Sequence, residues 1–106
     1  MKRLNFDDEY VRSILDGEKV TTIRKGVKDY QVNEIVELTV NHKPFAKARI
    51  LDVVVKRVNE LRTEDAIKDG FKSREDLLQT LKKIYGNLEN DDVVTIIRFN
   101  IIDKKI

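Results

Sequence analysis

Lys19, Thr22, Arg24 and Asp69 are the residues whose types could do chemistry together. A threonine hydroxyl becomes a nucleophile only when a nearby base takes its proton, and a lysine amine is such a base once burial lowers its pKa. A carboxylate supplies the acid partner, and an arginine holds an anion or a carbonyl oxygen. Three of the four lie in the segment Gly17-Glu18-Lys19-Val20-Thr21-Thr22-Ile23-Arg24. Its second half, from Val20 to Arg24, is β-branched and short, so it reads as a strand. Side chains alternate along a strand, so Thr22 and Arg24 share a face. Lys19 precedes Thr22 by three positions, an odd offset that points it away in a regular strand. It joins them only if the chain from Gly17 to Val20 is a loop that wraps round the strand entrance, which Gly17 permits. The plainer reading leaves Thr22 an ordinary strand residue, Lys19 solvated, and Arg24 paired with Asp69 or Glu64.

Further side chains suit a nucleic acid. Lys25 and Lys28 lie in or beside the loop that follows the strand. Lys72 and Arg74 flank the start of a later helix, where backbone N–H groups also favour phosphate. If the two loops meet, they form a phosphate-binding rim; otherwise these are solvated surface charges. Tyr30, in the polar loop, is the candidate for stacking on a base. Phe71 and Tyr85 read as core, and Lys82 and Lys83 as an outer helix face.

The elements that must position these residues follow from periodicity. Apolar Tyr10, Val11, Ile14 and Leu15 mark one face of a helix over about 7–16, started by Asp7 and Asp8 and ended by Gly17. After the first strand, residues 25–33 form a polar loop and 34–40 a second strand. Asn41-His42-Lys43-Pro44 makes a turn. Residues 45–58 read as one long strand, with a denser apolar run at Val53-Val54-Val55 that marks a bulge or a change in coverage. Thr63 caps a short helix through Asp69, with Gly70 at its exit. Ser73 opens a second helix whose Leu77, Leu78, Leu81, Ile84 and Tyr85 keep helical spacing to Gly86. Residues 93–102 close the chain as a strand. The order is helix, three strands, two helices, strand. Its simplest packing is an α+β domain, a small curled or barrel-like sheet covered by helices.

Composition narrows the classes. The 106 residues fit one domain spanning 1–106, with no Gly/Ser linker or repeat. Charged residues make up 38%, but 21 basic stand against 19 acidic, which describes a salt-bridged surface rather than a polybasic tail. The absence of cysteine excludes disulfides and thiol chemistry. One histidine, His42, has no convergent carboxylates, so neither a metal nor a cofactor is expected. The richness in Lys, Glu, Ile and Val resembles a thermophile's composition. No apolar run reaches the ~20 residues that span a bilayer. The N-terminus carries no signal-peptide core, so a cytoplasmic protein is expected.

The order of motifs is itself distinctive. Gly17-x-Lys19-x-x-Thr22-x-Arg24 is followed by Ala48-Arg49-Ile50-Leu51-Asp52-Val53, then Glu64-Asp65-Ala66. Asp69-Gly70-Phe71-x-Ser73, with Leu77, Leu81 and Tyr85, comes next, and Val94-Thr95-Ile96-Ile97-Arg98-Phe99 closes the chain. This succession resembles the ASCH family, whose fold is similar to the PUA domain, over nearly the whole chain. The resemblance implies a PUA-like, partly open β-barrel of about five strands with three flanking helices. It also implies a cleft beside the first strand and a link to RNA or modified nucleosides. One small bacterial branch is an amidohydrolase that deacetylates acetylcytidine. Its catalytic lysine and threonine match Lys19 and Thr22, and its catalytic glutamate falls on Asp69. Aspartate is one methylene shorter, a reach of roughly 1.5 Å.

The expected function is therefore an RNA- or nucleoside-binding domain, probed at Gly17, Lys19, Thr22, Arg24, Lys25, Tyr30, Lys72 and Arg74. Two alternatives stand beside it: a small amidohydrolase using Lys19, Thr22 and Asp69, and a protein-interaction module. A monomer is expected.

Overall fold

A computed structural model describes residues 1–105 of the chain. Five strands, β1 (Arg3–Phe6), β2 (Thr21–Lys25), β3 (Ile35–Val40), β4 (Lys43–Arg57) and β5 (Val93–Lys104), form one sheet in the order β1-β3-β4-β5-β2. β1 runs parallel to β3, and the other pairings are antiparallel. Three helices flank the sheet: α1 (Val11–Leu15), α2 (Thr63–Lys68) and α3 (Arg74–Tyr85). This is the α+β, curled half-barrel expected of a PUA-like fold.

The long strands do most of the organising. β3 and β4 are joined through Asn41 and His42, both at positive φ (50° and 63°), which is the geometry that lets a two-residue turn match the strand twist. The register of β4 against β5 shifts between Ile50 and Asp52. That bulge sits just before the Val53-Val54-Val55 run and bends the strand there. The run itself gains no second cover, since Val54 and Val55 are 36% and 47% exposed. Instead β5 is the strand covered on both sides. Ile97 and Phe99 join the core inside the curl with Leu4, Phe6, Leu38 and Ile50. Val94 and Ile96 point to a second core with Ile23, Ala66, Leu77 and Leu81, under α2 and α3.

Three local details differ from the sequence reading. β1 was not anticipated: Arg3-Leu4-Asn5-Phe6 alternates polar and apolar as a half-buried strand does, but four residues are too few to announce one without the pairing to β3. The expected 7–16 helix is a 3₁₀ turn over Asp8–Tyr10 followed by α1. Thr63 lies inside α2, and the N-cap is Arg62, whose N–H donates to Asp65 Oδ2 at 2.8 Å. Ser73 does cap α3, accepting from the Asp76 N–H at 3.1 Å.

The two edge strands, β1 and β2, approach each other across the open seam of the curl. In the β2–β5 ladder the bonds from Phe99 to Val20 and from Gly26 to Val93 set the hydrogen-bonded register. On the β1 side two carbonyls face the seam, and side chains satisfy both. Tyr30 Oη donates to the Arg3 carbonyl at 3.0 Å, and an Arg24 terminal N–H donates to the Asn5 carbonyl at 2.9 Å. Arg24 thus spans the seam where a closed barrel would have a ladder, and Tyr30, from the loop after β2, ties β1 beside it.

Candidate functional site

The seam opens into a cavity of ≈ 130 Å³. Lys19, Thr22, Arg24 and Asp69 all line it. Phe6, Tyr10, Phe71 and Tyr85 supply aromatic walls, and Thr80 and Ile84 of α3 complete one side. A second cavity of ≈ 250 Å³ lies across the Gly17–Val20 connection, bounded by Ile14, Phe99 and Ile101. It is larger but contains none of Thr22, Arg24 and Asp69.

Lys19 reaches the first cavity because it is not in a strand. Gly17, at φ +81°, ends the α1 turn, and the N–H groups of Glu18 and Lys19 both donate to the Ser13 carbonyl. The Val20 N–H then docks on the Lys68 carbonyl, which seats the connection against the end of α2. The Lys19 amine lies 3.0 Å from Asp69 Oδ2 and 3.1 Å from the Asp69 carbonyl oxygen. It also sits 5.1 Å from the Tyr10 ring centre and 5.9 Å from that of Phe71, so both rings face a cation.

Asp69-Gly70-Phe71 works as a cradle for this lysine. Asp69 ends α2 and binds the amine. Gly70 takes φ +93° and passes so close to the lysine stem that an added Cβ would lie 3.4 Å from Lys19 Cβ. Phe71 then covers the amine. Asp69 is itself held from the opposite side, where the Thr21 hydroxyl donates to Oδ1 at 2.8 Å. Lys19, Thr21, Thr22 and Asp69 are all buried. Burial pushes the Asp69 carboxyl up and the Lys19 amine down, and their mutual attraction opposes both shifts. Burial likewise raises the Tyr10 phenol to about 12, aided by Glu9, Asp7 and Asp69.

Arg24 is arranged differently. Its Nε donates to the Thr22 Oγ at 2.8 Å, and its guanidinium lies 5.1 Å from the Phe6 ring centre. Among the described residues it makes no ion pair, so neither Asp69 nor Glu64 is its partner. Asp69 belongs to Lys19.

The other candidates lie away from the cavity lining. Lys25 donates to the Asn87 carbonyl at 3.0 Å, and Arg74 donates to that of Leu61. Tyr30 is tied to Arg3 and lies 5.1 Å from the Lys2 amine, packed on the inner core. Lys72 is exposed. Gly17 shapes the connection without lining the cavity. Several contributors escaped the sequence reading. Thr21 lies on the opposite strand face from Thr22, so alternation alone sets it aside; Asp69 stands at the strand entrance and meets both sides. Tyr10 reads as an apolar helix position, and Asn5 and Phe6 belong to the unanticipated β1. Among the described residues no group of His, Cys, Asp and Glu gathers as a metal site, and no helix is long and apolar enough to cross a membrane.

Comparison with known proteins agrees with this architecture. The ASCH domain family matches residues 2–103, and the chain belongs to that family. Among solved structures, the ASCH domain of Lactobacillus crispatus JV V101 superposes with a TM-score of 0.80 at 18% identity, over 96% of this chain and 80% of that one. The hypothetical protein PH0355 gives a TM-score of 0.77 at 20% identity, over 96% of this chain and 100% of that one. ASCH from Zymomonas mobilis gives 0.71 at 13% identity, over 92% of this chain and 65% of that one. At these identities the likeness concerns the fold. No curated protein matches the sequence.

Proposed function

We propose that the chain binds a nucleobase-sized ring, carried by RNA or by a free nucleoside, in the cavity at the β1–β2 seam. The observation that carries this reading is the convergence of Lys19, Thr22, Arg24 and Asp69 on one aromatic-walled space. The volume of ≈ 130 Å³ is well below the ~300–1,000 Å³ of pockets that enclose a drug-sized ligand, so it suits one ring and leaves a sugar or a chain outside. Aromatic walls take the faces of such a ring, and the polar groups take its edge. Titrating the protein with cytidine and with a short single-stranded RNA, at two salt concentrations, tests this. Binding of either that weakens at least about ten-fold in Arg24→Ala supports it. Binding that ignores both Arg24→Ala and Tyr10→Ala places the site elsewhere.

Hydrolysis of an acetylated cytidine is a second reading, favoured by one observation. Despite its shorter side chain, Asp69 reaches the Lys19 amine at 3.0 Å. In that chemistry the Thr22 oxygen attacks the amide carbonyl while Lys19 takes its proton. The amine leaves with a proton, and water then releases acetate from the threonine ester. The resting geometry fits binding better, since the Lys19 amine is bonded to Asp69 and the Thr22 oxygen to Arg24. Incubation with acetylcytidine decides: cytidine and acetate appear if the reaction occurs, and no product from either the native chain or Asp69→Glu excludes it.

A further inference from the structure

β4 is longer than the strand beside it. β3 pairs with it as far as Arg49, and the bonds joining Ile50 to Asn33 and Glu34 close that side. From Asp52 to Arg57, β4 pairs with β5 alone, so among the described residues its other edge has no neighbouring strand. Alternation decides which backbone groups point there. The Val20–Phe99 and Gly26–Val93 bonds turn the backbone groups of Val93, Thr95, Ile97 and Phe99 toward β2, so those of Val94, Ile96 and Arg98 face β4. Their partners are Lys56, Val54 and Asp52, and the Val58 N–H continues the series onto the Asp92 carbonyl. The backbone groups of Val53, Val55 and Arg57 therefore point to the open edge. Glu60 Oε1 accepts the Arg57 N–H at 2.8 Å, and Asp52 Oδ1 accepts that of Val53 at 3.1 Å. The Val55 N–H and the carbonyls of Val53 and Val55 face outward. Such an edge is ordinarily blunted by proline, inward charge or a covering loop, yet this one carries Val54 and Val55, both exposed.

We propose that this edge is the interface of a homodimer, in which a second copy of the chain adds its own Asp52–Lys56 segment antiparallel, about a two-fold axis at Val54. The segment Asp52-Val53-Val54-Val55-Lys56 is its own complement when read in reverse. Centred on Val54, Val53 meets the second copy's Val55, and the two exchange both of their backbone bonds. The Val53 N–H leaves its own neighbour's side chain for a carbonyl. That frees Asp52, whose carboxylate makes no ion pair among the described residues, to stand opposite the second copy's Lys56. Lys56 stands opposite the second copy's Asp52 in turn. Both contacts fall at the positions where facing side chains approach most closely. Moving the axis to Val53 or Val55 keeps the backbone bonds but sets a charge against Val54. This self-match of charge and register selects a second copy of the chain over a foreign strand, and it covers the exposed valines of β4.

Sedimentation equilibrium of the intact chain, from micromolar to millimolar concentration, tests this, and a monomer–dimer equilibrium is expected. Val55→Pro deletes the outward N–H and spares the ladder to β5, so it is expected to weaken the dimer at least about ten-fold. Asp52→Lys and Lys56→Asp are each expected to weaken it by a similar factor, because each homodimer then sets like charges opposite one another. Mixing those two variants in equal amounts is expected to restore the dimer as a mixed pair, since both contacts again join opposite charges. Recovery on mixing requires two folded variants, so it decides the matter even if Val55→Pro fails to fold. A chain that stays monomeric would overturn the proposal, and its uptake of an added valine-rich peptide would assign the edge to a foreign strand instead. A dimer that withstands Val55→Pro in a chain with native circular dichroism would also overturn it. So would two folded charge variants that lose the dimer and do not recover it on mixing.

Discussion

Lys19 and Asp69 are opposite charges removed from water together, and their worth depends on being together. Desolvation moves the amine pKa down and the carboxyl pKa up, so burial opposes the charged state of each. Removing one partner strands the other. Lys19→Ala and Asp69→Ala are each expected to cost about 3–5 kcal/mol, read by denaturant unfolding, because each leaves a buried charge uncompensated. Lys19→Met combined with Asp69→Leu is expected to cost less than either single change. A Lys19→Ala/Asp69→Ala double that costs the sum of its two singles would show that the pair is not coupled. Tyr10 gives a pH test. Its folded pKa, about 12, is raised above the ordinary 10.0, so its contribution to stability is fully present below pH 10 and is lost as pH rises through 12. Phenolate absorbance should show the Tyr10 transition late in the folded chain and back in the ordinary range after unfolding. At this scale the sequence was informative about which residue types mattered. It could not assign partners. Arg24 and Lys19 are equivalent cations to a reader of spacing, and only the fold shows that Asp69 goes to the lysine.

Elements place these residues, and some elements were far more legible than others. β2, β4, α3 and β5 carry strong alternation or helical spacing, and each appears close to where periodicity sets it. β1 has four residues, and its polar–apolar alternation is too short to mark a strand until β3 pairs with it. The cavity's Asn5 and Phe6 were missed for that reason. Gly70 shows how an element boundary serves the site. Its φ of +93° disfavours any side chain, and its surface abuts the Lys19 stem. Gly70→Ala is expected to cost at least about 1–2 kcal/mol in stability and to shift the Lys19 amine resonance. A change in stability with no change at Lys19 would separate the turn from the cradle. Ser73→Ala tests the neighbouring helix alone. Loss of its bond to Asp76 should cost about 1 kcal/mol and leave ligand binding unaltered.

Across the whole molecule the central feature is an open sheet held at its seam by side chains. Arg24 of β2 bridges to the other edge strand, Tyr30 of the loop after β2 ties the same strand, and only Arg24 also faces the cavity. Removing the Tyr30 hydroxyl in Tyr30→Phe should therefore raise amide exchange in β1 without changing ligand affinity, whereas Arg24→Ala should do both. Membership of the ASCH family and the half-barrel were readable from the order of motifs along the chain. The seam was not, because it joins residues brought together only when the sheet curls.

The convergence of Lys19, Thr22, Arg24 and Asp69 on a ring-sized, aromatic-walled space is tested most directly by titrating cytidine into the isotopically labelled chain. Shifts should concentrate on Thr22, Arg24, Tyr10 and Phe71 and disappear in Arg24→Ala. Shifts centred on Lys25, Lys72 and Arg74, and retained in that variant, would contradict it.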